Sequence, residues 1–265
     1  MKTLTGFCGL VSALVLVLGL SEQTESQWTP LTPQATDCTH IKALSPSASS
    51  GLYFVQPPGA WSPFQVYCEM RPDGGWTVFQ RRSGGAVSFN RNWAAYKNGF
   101  GNLNADHWLG LSKVHSLTKD QTRRWTLRVD LWDYEEGTAY AEYSDFRLDS
   151  QTEAYKLHVG TFRGDAGDAI RGAYAGIDQN GSGFSTFDRD NDGCSPCIFG
   201  DIAVAACSRT EGGGWWFSRC GSANLHGDWH PAGDNIGWAS GLHWDTWKGA
   251  APYSARATRM MIRSA

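Results

Sequence analysis

The stretch DGGWTVFQRR, residues 73–82, joins a turn to a strand. Pro72, Asp73 and the two glycines that follow form a turn signal, and Gly75–Gln80 then alternates as a strand does. Upstream of the turn, Phe64–Met70 alternates in the same way. The segment therefore predicts two strands connected by a tight turn.

A second pair of strands is predicted by Trp125–Trp132 and Glu135–Phe146, which alternate and are separated at Gly137. Beyond Tyr174 the chain is rich in Gly, Asp and Trp, with little periodicity before Ala257–Ile262. A region this long without regular elements needs disulfides or a bound ion to hold it. Short helices are predicted over Thr39–Ala43, Arg91–Lys97 and Asp106–His115.

The composition limits the classes of function. A hydrophobic fraction of 41% is enough for a core, and 31 glycines and 13 tryptophans indicate many turns and rings that pack between loops or face a ligand. For any single tryptophan, core packing is the better interpretation. The formal net charge of −3 and the scattered Lys and Arg give no reason to expect a nucleic-acid partner.

The N-terminus has the pattern of an export signal. Lys2 supplies the positive start, Leu10–Leu20 is an apolar run too short to span a bilayer, and cleavage is expected near Ser21. The next residues are polar and contain proline, and no later stretch predicts a membrane span. The sequence thus predicts a signal peptide at 1–21, a linker at 22–36, a domain at 37–265 and a secreted, extracellular protein.

Export changes what the cysteines indicate. Cys8 leaves with the signal peptide, and Cys38, Cys68, Cys194, Cys197, Cys207 and Cys220 remain. An even number of cysteines in an oxidising compartment predicts disulfides rather than zinc or catalytic thiols. The count alone leaves the pairing open.

The stretch FSTFDRDNDGCSPC, residues 184–197, contains the main candidate site. Asp188, Asp190 and Asp192 alternate and precede Gly193, which is the first half of a calcium loop. An EF-hand would need a glutamate at its twelfth position, where Phe199 stands, so an EF-hand is not predicted. A hard divalent cation would neutralise the cluster, and the alternative is a solvated acidic turn.

Cys194-Ser-Pro-Cys197 has the spacing of a redox motif, but neither a preceding strand nor a following helix is indicated. A structural bridge is therefore favoured, with thiol–disulfide exchange as the alternative. The sequence contains no HExxH, G-x-S-x-G or P-loop motif. His226 and His230 would share a face only on a helix, which the neighbouring Gly and Pro disfavour. The chain is predicted not to be an enzyme.

Six motifs follow one another along the chain. They are DGGWTVFQRR (73–82), FNRNWAAYKNGF (89–100), HWLG (107–110), FSTFDRDND (184–192), GGWWFSRC (213–220) and GLHWDTWK (241–248). Over residues 37–265 the sequence closely resembles the fibrinogen C-terminal, or fibrinogen-related, domain of ficolins, tachylectins, microfibril-associated glycoprotein and angiopoietin-like proteins. The resemblance implies an α+β fold with a central antiparallel sheet, short helices and a loop-rich part that binds calcium and ligand.

The resemblance also implies covalent and metal-binding partners. The implied disulfides are Cys38–Cys68, Cys207–Cys220 and, from the cysteines left over, Cys194–Cys197. The implied calcium ligands are the side chains of Asp190 and Asp192 and the carbonyls of Cys194 and Pro196. Extra residues separate Asp192 from Cys207, so the carbonyl assignment requires that the insertion begin after Pro196. Alternatively, Asp201 inside the insertion joins the site.

In sugar-binding relatives, aromatic and histidine side chains near the second disulfide recognise acetyl groups. The corresponding positions here are Glu211, Gly221, Trp238 and Ala239. Glu211 and Gly221 stand where a tyrosine and a histidine are expected, so this sequence departs from the family's pocket. Trp229, His230 and Trp238 offer a different surface because sugar faces stack on aromatic rings; the alternative is that they pack the loops.

Two short motifs add candidate sites. Arg163, Gly164 and Asp165 form an integrin-type tripeptide, which counts only if it lies on an exposed turn. Asn180 begins an Asn-Gly-Ser sequon, a glycosylation acceptor.

The sequence predicts a secreted calcium-binding protein with lectin-like binding of carbohydrate or acetylated groups in innate immunity. The alternative is an angiopoietin-like or matrix factor that engages a cell-surface receptor or integrin, and a homo-oligomer is compatible with both.

Overall fold

A computed structural model describes residues 34–172, 175–199, 201–233, 241–249 and 253–265. The signal peptide predicted at 1–21 and most of the linker predicted at 22–36 lie outside these ranges. In the described part of the chain, no helix is both long and apolar enough to cross a membrane.

The regular elements are short except in one large sheet. In chain order the strands are β1 (Gly51–Val55), β2 (Phe64–Arg71), β3 (Gly74–Arg82), β4 (Phe100–Gly101), β5 (His107–Trp108), β6 (Trp125–Trp132), β7 (Thr138–Tyr143), β8 (Arg147–Leu148), β9 (Leu157–His158), β10 (Phe162–Gly164), β11 (Cys197–Phe199), β12 (Ile202–Val204), β13 (Ala223–Asn224), β14 (His243–Trp244) and β15 (Ala257–Ser264). The helices are α1 (Cys38–Leu44), α2 (Trp93–Asn98), α3 (Leu111–Thr118) and α4 (Cys207–Thr210), with a single 3₁₀ turn over Gln151–Glu153.

The large sheet is antiparallel, in the order β1-β2-β3-β15-β6-β7-β10. Both predicted strand pairs are confirmed: Tyr67 pairs with Val78 across the first turn, and Trp132 pairs with Thr138 across the second. The C-terminal strand β15 lies between β3 and β6, so the end of the chain closes the centre of the sheet. The predicted α+β class with a central antiparallel sheet is therefore correct.

The helix predicted over Asp106–His115 is wrong in its first half. His107–Trp108 forms strand β5, and the helix begins only at Leu111. Gly110 has φ of +111°, and a Cβ there would lie 2.7 Å from the backbone of Asn98. The chain therefore turns sharply at this glycine, in a conformation that a helix cannot continue.

Helix α1 is fixed at its N-terminal end. The carboxylate of Asp37 accepts hydrogen bonds from the backbone N–H groups of Thr39 and His40, which caps the helix N-terminus. Arg123 pairs with the same buried carboxylate at 2.5 Å. Cys38, the first residue of the helix, is bonded to Cys68 in β2. The helix is thus tied to the sheet by a charge pair and a disulfide.

The loop-rich part is held largely by a buried aromatic cluster, whose members are Tyr96, Trp108, Phe184, Trp215, Trp216 and His226. Rings from the sheet, from α2 and from the loops meet here, with centroids 4.8 to 6.0 Å apart. Burial lowers the pKa of His226 to about 3, so its imidazole is neutral and shares a 2.6 Å hydrogen bond with the carbonyl of Gly214. Packing of these rings therefore stabilises the loop-rich part, which has few regular helices or strands.

Candidate functional site: an acidic loop and an aromatic groove

Asp188 does not face the other two aspartates of its motif. Its carboxylate accepts hydrogen bonds from the backbone N–H of Trp93 at 2.9 Å and from the hydroxyl of Thr186 at 2.7 Å. Since Trp93 opens helix α2, Asp188 fixes the acidic loop to the N-terminus of that helix. The alternation of three aspartates therefore resembles a calcium loop more in sequence than in geometry.

Asp190 and Asp192 are adjacent and oriented by the backbone. Asp190 accepts from the N–H of Asp192 at 3.1 Å. The two oxygens of Asp192 accept from the N–H groups of Cys194, at 3.0 Å, and Cys207, at 2.9 Å. Burial, together with the negative charge of Asp190, holds the pKa of the Asp192 carboxyl above its ordinary value. A cation at this place would relieve that repulsion.

The structure contains the three disulfides expected from the sequence, Cys38–Cys68, Cys194–Cys197 and Cys207–Cys220. The last two touch, with the Sγ atoms of Cys197 and Cys207 3.4 Å apart. Candidate ligand atoms of Asp192, Cys194, Cys197 and Cys207 all lie within 4.8 Å of one another. Because these sulfurs are bonded in pairs, they cannot act as the thiolates that bind zinc or copper.

The donors that remain fit a hard cation. Asp190 is exposed and Asp192 is half-buried, and in the described part of the chain neither carboxylate makes an ion pair with Lys or Arg. Carboxylate and carbonyl oxygens are the ligands that Ca²⁺ prefers. Asp190 and Asp192 would hold such an ion, whose chemistry would be structural. The participation of the Cys194 and Pro196 carbonyls stays a prediction.

The inserted residues form a small hairpin, which sequence reasoning did not anticipate. Strands β11 and β12 pair antiparallel, Cys197 with Val204 and Phe199 with Ile202. The hairpin therefore leaves the loop just after Pro196, which is the condition for the carbonyl assignment. Asp201 lies at its tip, and three residues of strand carry the chain roughly 10 Å from its base. This placement favours Asp190 and Asp192 over Asp201 as ion ligands.

Glu211 occupies one expected ligand position, but its side chain is buried and does not face a ligand at the surface. It is 8% exposed, and burial, with a smaller contribution from Asp245, raises its pKa to about 8. His243 lies 3.7 Å from its carboxyl group, and burial lowers the pKa of that imidazole to about 4. At neutral pH the two groups therefore meet as a neutral acid and a neutral base, not as an ion pair.

Gly221 occupies a second expected ligand position, and its surroundings exclude a side chain. Its φ is +90°, and a Cβ would lie 2.1 Å from Nε2 of Gln179. Gln179 is buried there and donates to the carbonyls of Cys220 at 3.1 Å and Ala223 at 2.9 Å. Gln179 thus fills the space that the family's histidine would need. The other two expected positions, Trp238 and Ala239, lie outside the described residues.

Trp229 lines a groove of about 650 Å³ at one end of the central strands β3, β15 and β6. The described lining consists of Arg81, Arg82, Ser83, Asn104, Ala105, Trp132, Tyr134, Trp229, Arg256, Ala257, Thr258 and Arg259. Neither Glu211 nor Gly221 is among these residues, so the predicted ligand residues do not surround one described cavity. His230 is half-buried beside Trp229, and its carbonyl accepts a hydrogen bond from the Tyr134 hydroxyl.

The integrin-type tripeptide lies at the end of the edge strand β10. Arg163 and Gly164 belong to β10, and Arg163 makes an ion pair with Glu142 on the neighbouring strand. The carboxylate of Asp165 accepts from the N–H of Tyr140 at 2.7 Å. All three residues are exposed, but both charged groups are engaged by neighbouring strand residues. Integrin binding by the tripeptide stays a prediction.

The sequon lies on a turn. The side-chain oxygen of Asn180 accepts from the N–H of Val159 at 2.9 Å, and the residue is half-buried. The amide nitrogen, which is the atom a glycan joins, is not the atom used in that bond. The geometry therefore leaves Asn180 able to accept a glycan, and its glycosylation stays a prediction.

The fold is a central antiparallel sheet that carries a disulfide-bonded loop region and, at the ends of its central strands, an aromatic groove. The chain matches the family described as fibrinogen beta and gamma chains, C-terminal globular domain, over residues 34–265. It belongs to this family, which consists of non-enzymatic recognition and signalling proteins, as the sequence predicted.

Individual relatives agree with this membership. Angiopoietin-4 of Bos taurus is 40% identical over 228 residues, which are 86% of this chain and 42% of that protein. Microfibril-associated glycoprotein 4 of Homo sapiens is 41% identical over 239 residues, which are 88% of this chain and 86% of that protein. The chain thus spans less than half of the angiopoietin and most of the microfibril-associated glycoprotein.

Solved structures share the fold. The fibrinogen-like globe domain of human ANGPTL2 gives a TM-score of 0.74 at 37% identity, covering 86% of this chain and 98% of that one. Lamprey fibrin D-dimer, complexed with the peptide Gly-His-Arg-Pro-amide, gives 0.76 at 33% identity, covering 91% and 79%. The fold predicted from the sequence is therefore confirmed.

Proposed function

We propose that the chain is a secreted recognition domain that binds carbohydrate or acetylated groups, with a calcium ion steadying residues 190–196. The observation that supports carbohydrate binding best is the groove, where Trp132, Tyr134 and Trp229 contribute three half-buried rings. Sugar rings expose C–H faces that pack against aromatic rings, while their hydroxyls need nearby polar groups. Ser83, Asn104 and Thr258 supply such groups in the same lining.

The family's usual acetyl pocket is a weaker candidate in this chain. Glu211 is buried beside His243, and Gly221 leaves its space to Gln179. Binding is therefore assigned to the groove around Trp229. The calcium ion would act indirectly, by ordering the loop that ends at the Cys207–Cys220 disulfide.

A glycan array tests this proposal, with the intact protein applied in calcium and in EDTA. Binding to a defined set of glycans, lost in Trp229→Ala and kept in Trp247→Ala, would support it. Trp247 is a suitable control because it is also half-buried but packs against Tyr253, outside the groove lining. An array without any signal, repeated at high protein density, would reject carbohydrate recognition.

The second candidate is an angiopoietin-like or matrix factor that engages a receptor protein. Two observations favour it: the similarity to angiopoietin-4, and an apolar surface at the edge strand β1. Phe54 is 57% exposed and Trp61 fully exposed. Cell binding that is lost in Phe54→Ser/Trp61→Ser, with a silent glycan array, would favour this candidate over the first.

A further inference from the structure

The groove around Trp229 is cationic as well as aromatic. Four arginines line it, and its described lining contains no carboxylate. One of them, Arg259, is neutralised by ion pairs with Glu69 at 2.9 Å and Asp130 at 2.8 Å. The charge of the groove therefore comes from the other three, Arg81, Arg82 and Arg256.

Arg256 is exposed and Arg81 is half-buried, and each makes one hydrogen bond to a backbone carbonyl. Arg81 makes one long hydrogen bond, 3.4 Å to the carbonyl of Asn104, and its guanidinium lies over the Tyr67 ring. Arg256 donates from Nε to the carbonyl of Asp133 at 2.9 Å. In the described part of the chain, neither guanidinium has a carboxylate within ion-pair distance. Both keep N–H groups available to an anion.

Arg82 is one of the lining residues and is 2% exposed. It donates from Nη1 to the carbonyl of Gly227 at 2.8 Å, whereas its buried Nε–H has no hydrogen-bond partner among the described residues. The charges of Asp106 and Asp228 act on Arg82 from outside the lining without forming an ion pair. Because this Nε is buried, a ligand in the groove does not reach it, and the direct contacts to an anion are assigned to Arg81 and Arg256. Arg82 adds its positive charge from beneath them.

The three rings of the groove are held in place by their neighbours. Trp229 donates from its indole nitrogen to the carbonyl of Arg256 at 3.0 Å. Tyr134 donates its hydroxyl to the carbonyl of His230. Trp132 lies under the guanidinium of Arg259, 5.4 Å from its ring centroid. Rings fixed in this way lose little freedom when a ligand stacks on them.

We propose that this groove binds a sulfated oligosaccharide. The guanidinium fork matches the oxygens of a sulfate group, and the rings match the faces of the sugars to which the sulfates are attached. A volume of about 650 Å³ is in the range of small-ligand sites. The inference rests on the carbohydrate recognition proposed above and adds its chemical class. An acidic peptide would use the arginines but would leave the three rings without a specific role.

The test uses the intact protein and four probes: a heparin-derived octasaccharide, a hyaluronan octasaccharide, chitotetraose, and an acidic peptide of equal charge to the heparin fragment. Binding is measured by calorimetry, at low and at physiological salt. We expect the heparin fragment to bind most tightly, and its affinity to fall with salt because the arginines are partly exposed. We expect Arg81→Gln/Arg256→Gln to weaken it by about tenfold or more.

The matched control is Arg124→Gln/Lys156→Gln, which removes the same charge from exposed positions outside the groove lining. We expect this variant to bind within about twofold of the parent chain, since screening limits distant charges. Trp132→Ala should weaken the heparin fragment several-fold while leaving the salt dependence unchanged. Equal losses in the two double variants, or equal binding of the acidic peptide, would overturn the proposal.

The outcome also separates this inference from the function on which it rests. Binding of chitotetraose without binding of the heparin fragment would reject the sulfated class and keep carbohydrate recognition. Failure of every saccharide would reject both. Circular dichroism of each variant shows whether a loss of binding is a loss of folding. If Arg81→Gln/Arg256→Gln unfolds, Arg81→Lys/Arg256→Lys replaces it, because lysine keeps the positive charge but lacks the two-pronged guanidinium that matches a sulfate.

Discussion

The Sγ atom of Cys197 lies 3.4 Å from the Sγ atom of Cys207, so two disulfides of the loop-rich part are in contact. Asp192 joins them a second time, because its carboxylate accepts from the backbone N–H groups of both Cys194 and Cys207. The acidic loop, the inserted hairpin and helix α4 therefore meet at one carboxylate and one sulfur contact. Changes at any of the three are expected to affect the others.

The first prediction concerns the two disulfides. Loop-closure entropy gives about 2 kcal/mol for the short Cys194–Cys197 ring and about 3 kcal/mol for Cys207–Cys220. Replacing the Cys194–Cys197 pair by serines should lower the free energy of unfolding less than replacing the Cys207–Cys220 pair does. Urea denaturation measures both losses. Because the disulfides touch, removal of both should differ from the sum of the two losses by about 0.5 kcal/mol or more. Strict additivity would contradict the coupling.

The second prediction concerns calcium. An ion present at about a hundredfold excess over its Kd stabilises the folded state by about 2.7 kcal/mol, which raises the Tm of a domain of this size by roughly 5–10 °C. Asp190→Asn should remove most of this increase, because it removes one of the two carboxylate charges that would bind the ion while keeping the side chain's shape. Scanning calorimetry with calcium and with EDTA measures both values.

Asp201→Asn is the control for the calcium prediction. Asp201 lies at the tip of the β11–β12 hairpin, so this variant should respond to calcium as the parent chain does. A response that survives in Asp190→Asn but disappears in Asp201→Asn would assign the ion to the insertion instead.

The third prediction concerns the pH dependence that Glu211 imposes. Burial raises the pKa of Glu211 from 4.5 to about 8, so across this window the folded chain keeps a proton that the unfolded chain has released. The folded state binds more protons, and its stability therefore falls as pH rises. Glu211→Gln, which cannot ionise, should be more stable than the parent chain by roughly 4 kcal/mol at pH 8 and by less than about 1 kcal/mol at pH 5.

His243 acts in the opposite direction, and the two must be separated. Burial lowers its pKa from 6.5 to about 4, so the folded chain binds fewer protons between these values and gains stability as pH rises. That increase should remain in Glu211→Gln and disappear in His243→Asn. Glu153→Gln, at an exposed position, should leave unchanged both the gain of stability with pH due to His243 and the loss of stability with pH due to Glu211. A loss of stability above pH 6 that persists in Glu211→Gln would show that another group is responsible.

Local pattern and global packing explain what the sequence could and could not predict. The strands of the large sheet were predictable because alternation along Phe64–Gln80 and Trp125–Phe146 is a local signal. The fold of the whole domain was predictable from the six motifs that resemble the family. The inserted hairpin was missed because β11 and β12 have three residues each, too few for alternation to be recognised.

The groove could not be predicted for a different reason. Arg81, Trp132 and Trp229 are far apart in sequence and are brought together only at the end of the sheet where β3 and β6 stop and β15 begins. Trp229 alone was identified, from its ring. The burial of Glu211 and the space filled by Gln179 are likewise long-range contacts, which no motif at Gly221 records.

The last prediction concerns Gly221 and Gln179. Gly221→Ala should cost about 3 kcal/mol of folding stability, because it combines an unfavourable φ of +90° with a Cβ 2.1 Å from Gln179. Gly249→Ala isolates the first effect, since Gly249 has φ of +89° and, among the described residues outside its chain neighbours, no atom lies within 4 Å of its Cβ position. It should cost about 1 kcal/mol. Urea denaturation of both variants measures the difference.

The same pair decides whether the family's acetyl pocket can be restored. Gly221→His alone should be destabilised and should not bind acetylated sugars, because Gln179 occupies the space of the ring. Gly221→His/Gln179→Ala removes the obstruction, at the cost of the hydrogen bonds to the carbonyls of Cys220 and Ala223. We expect the double variant to be more stable than Gly221→His. A single variant that folds as well as the parent chain would show that Gln179 moves aside, and that the departure at Gly221 reflects ligand choice rather than packing.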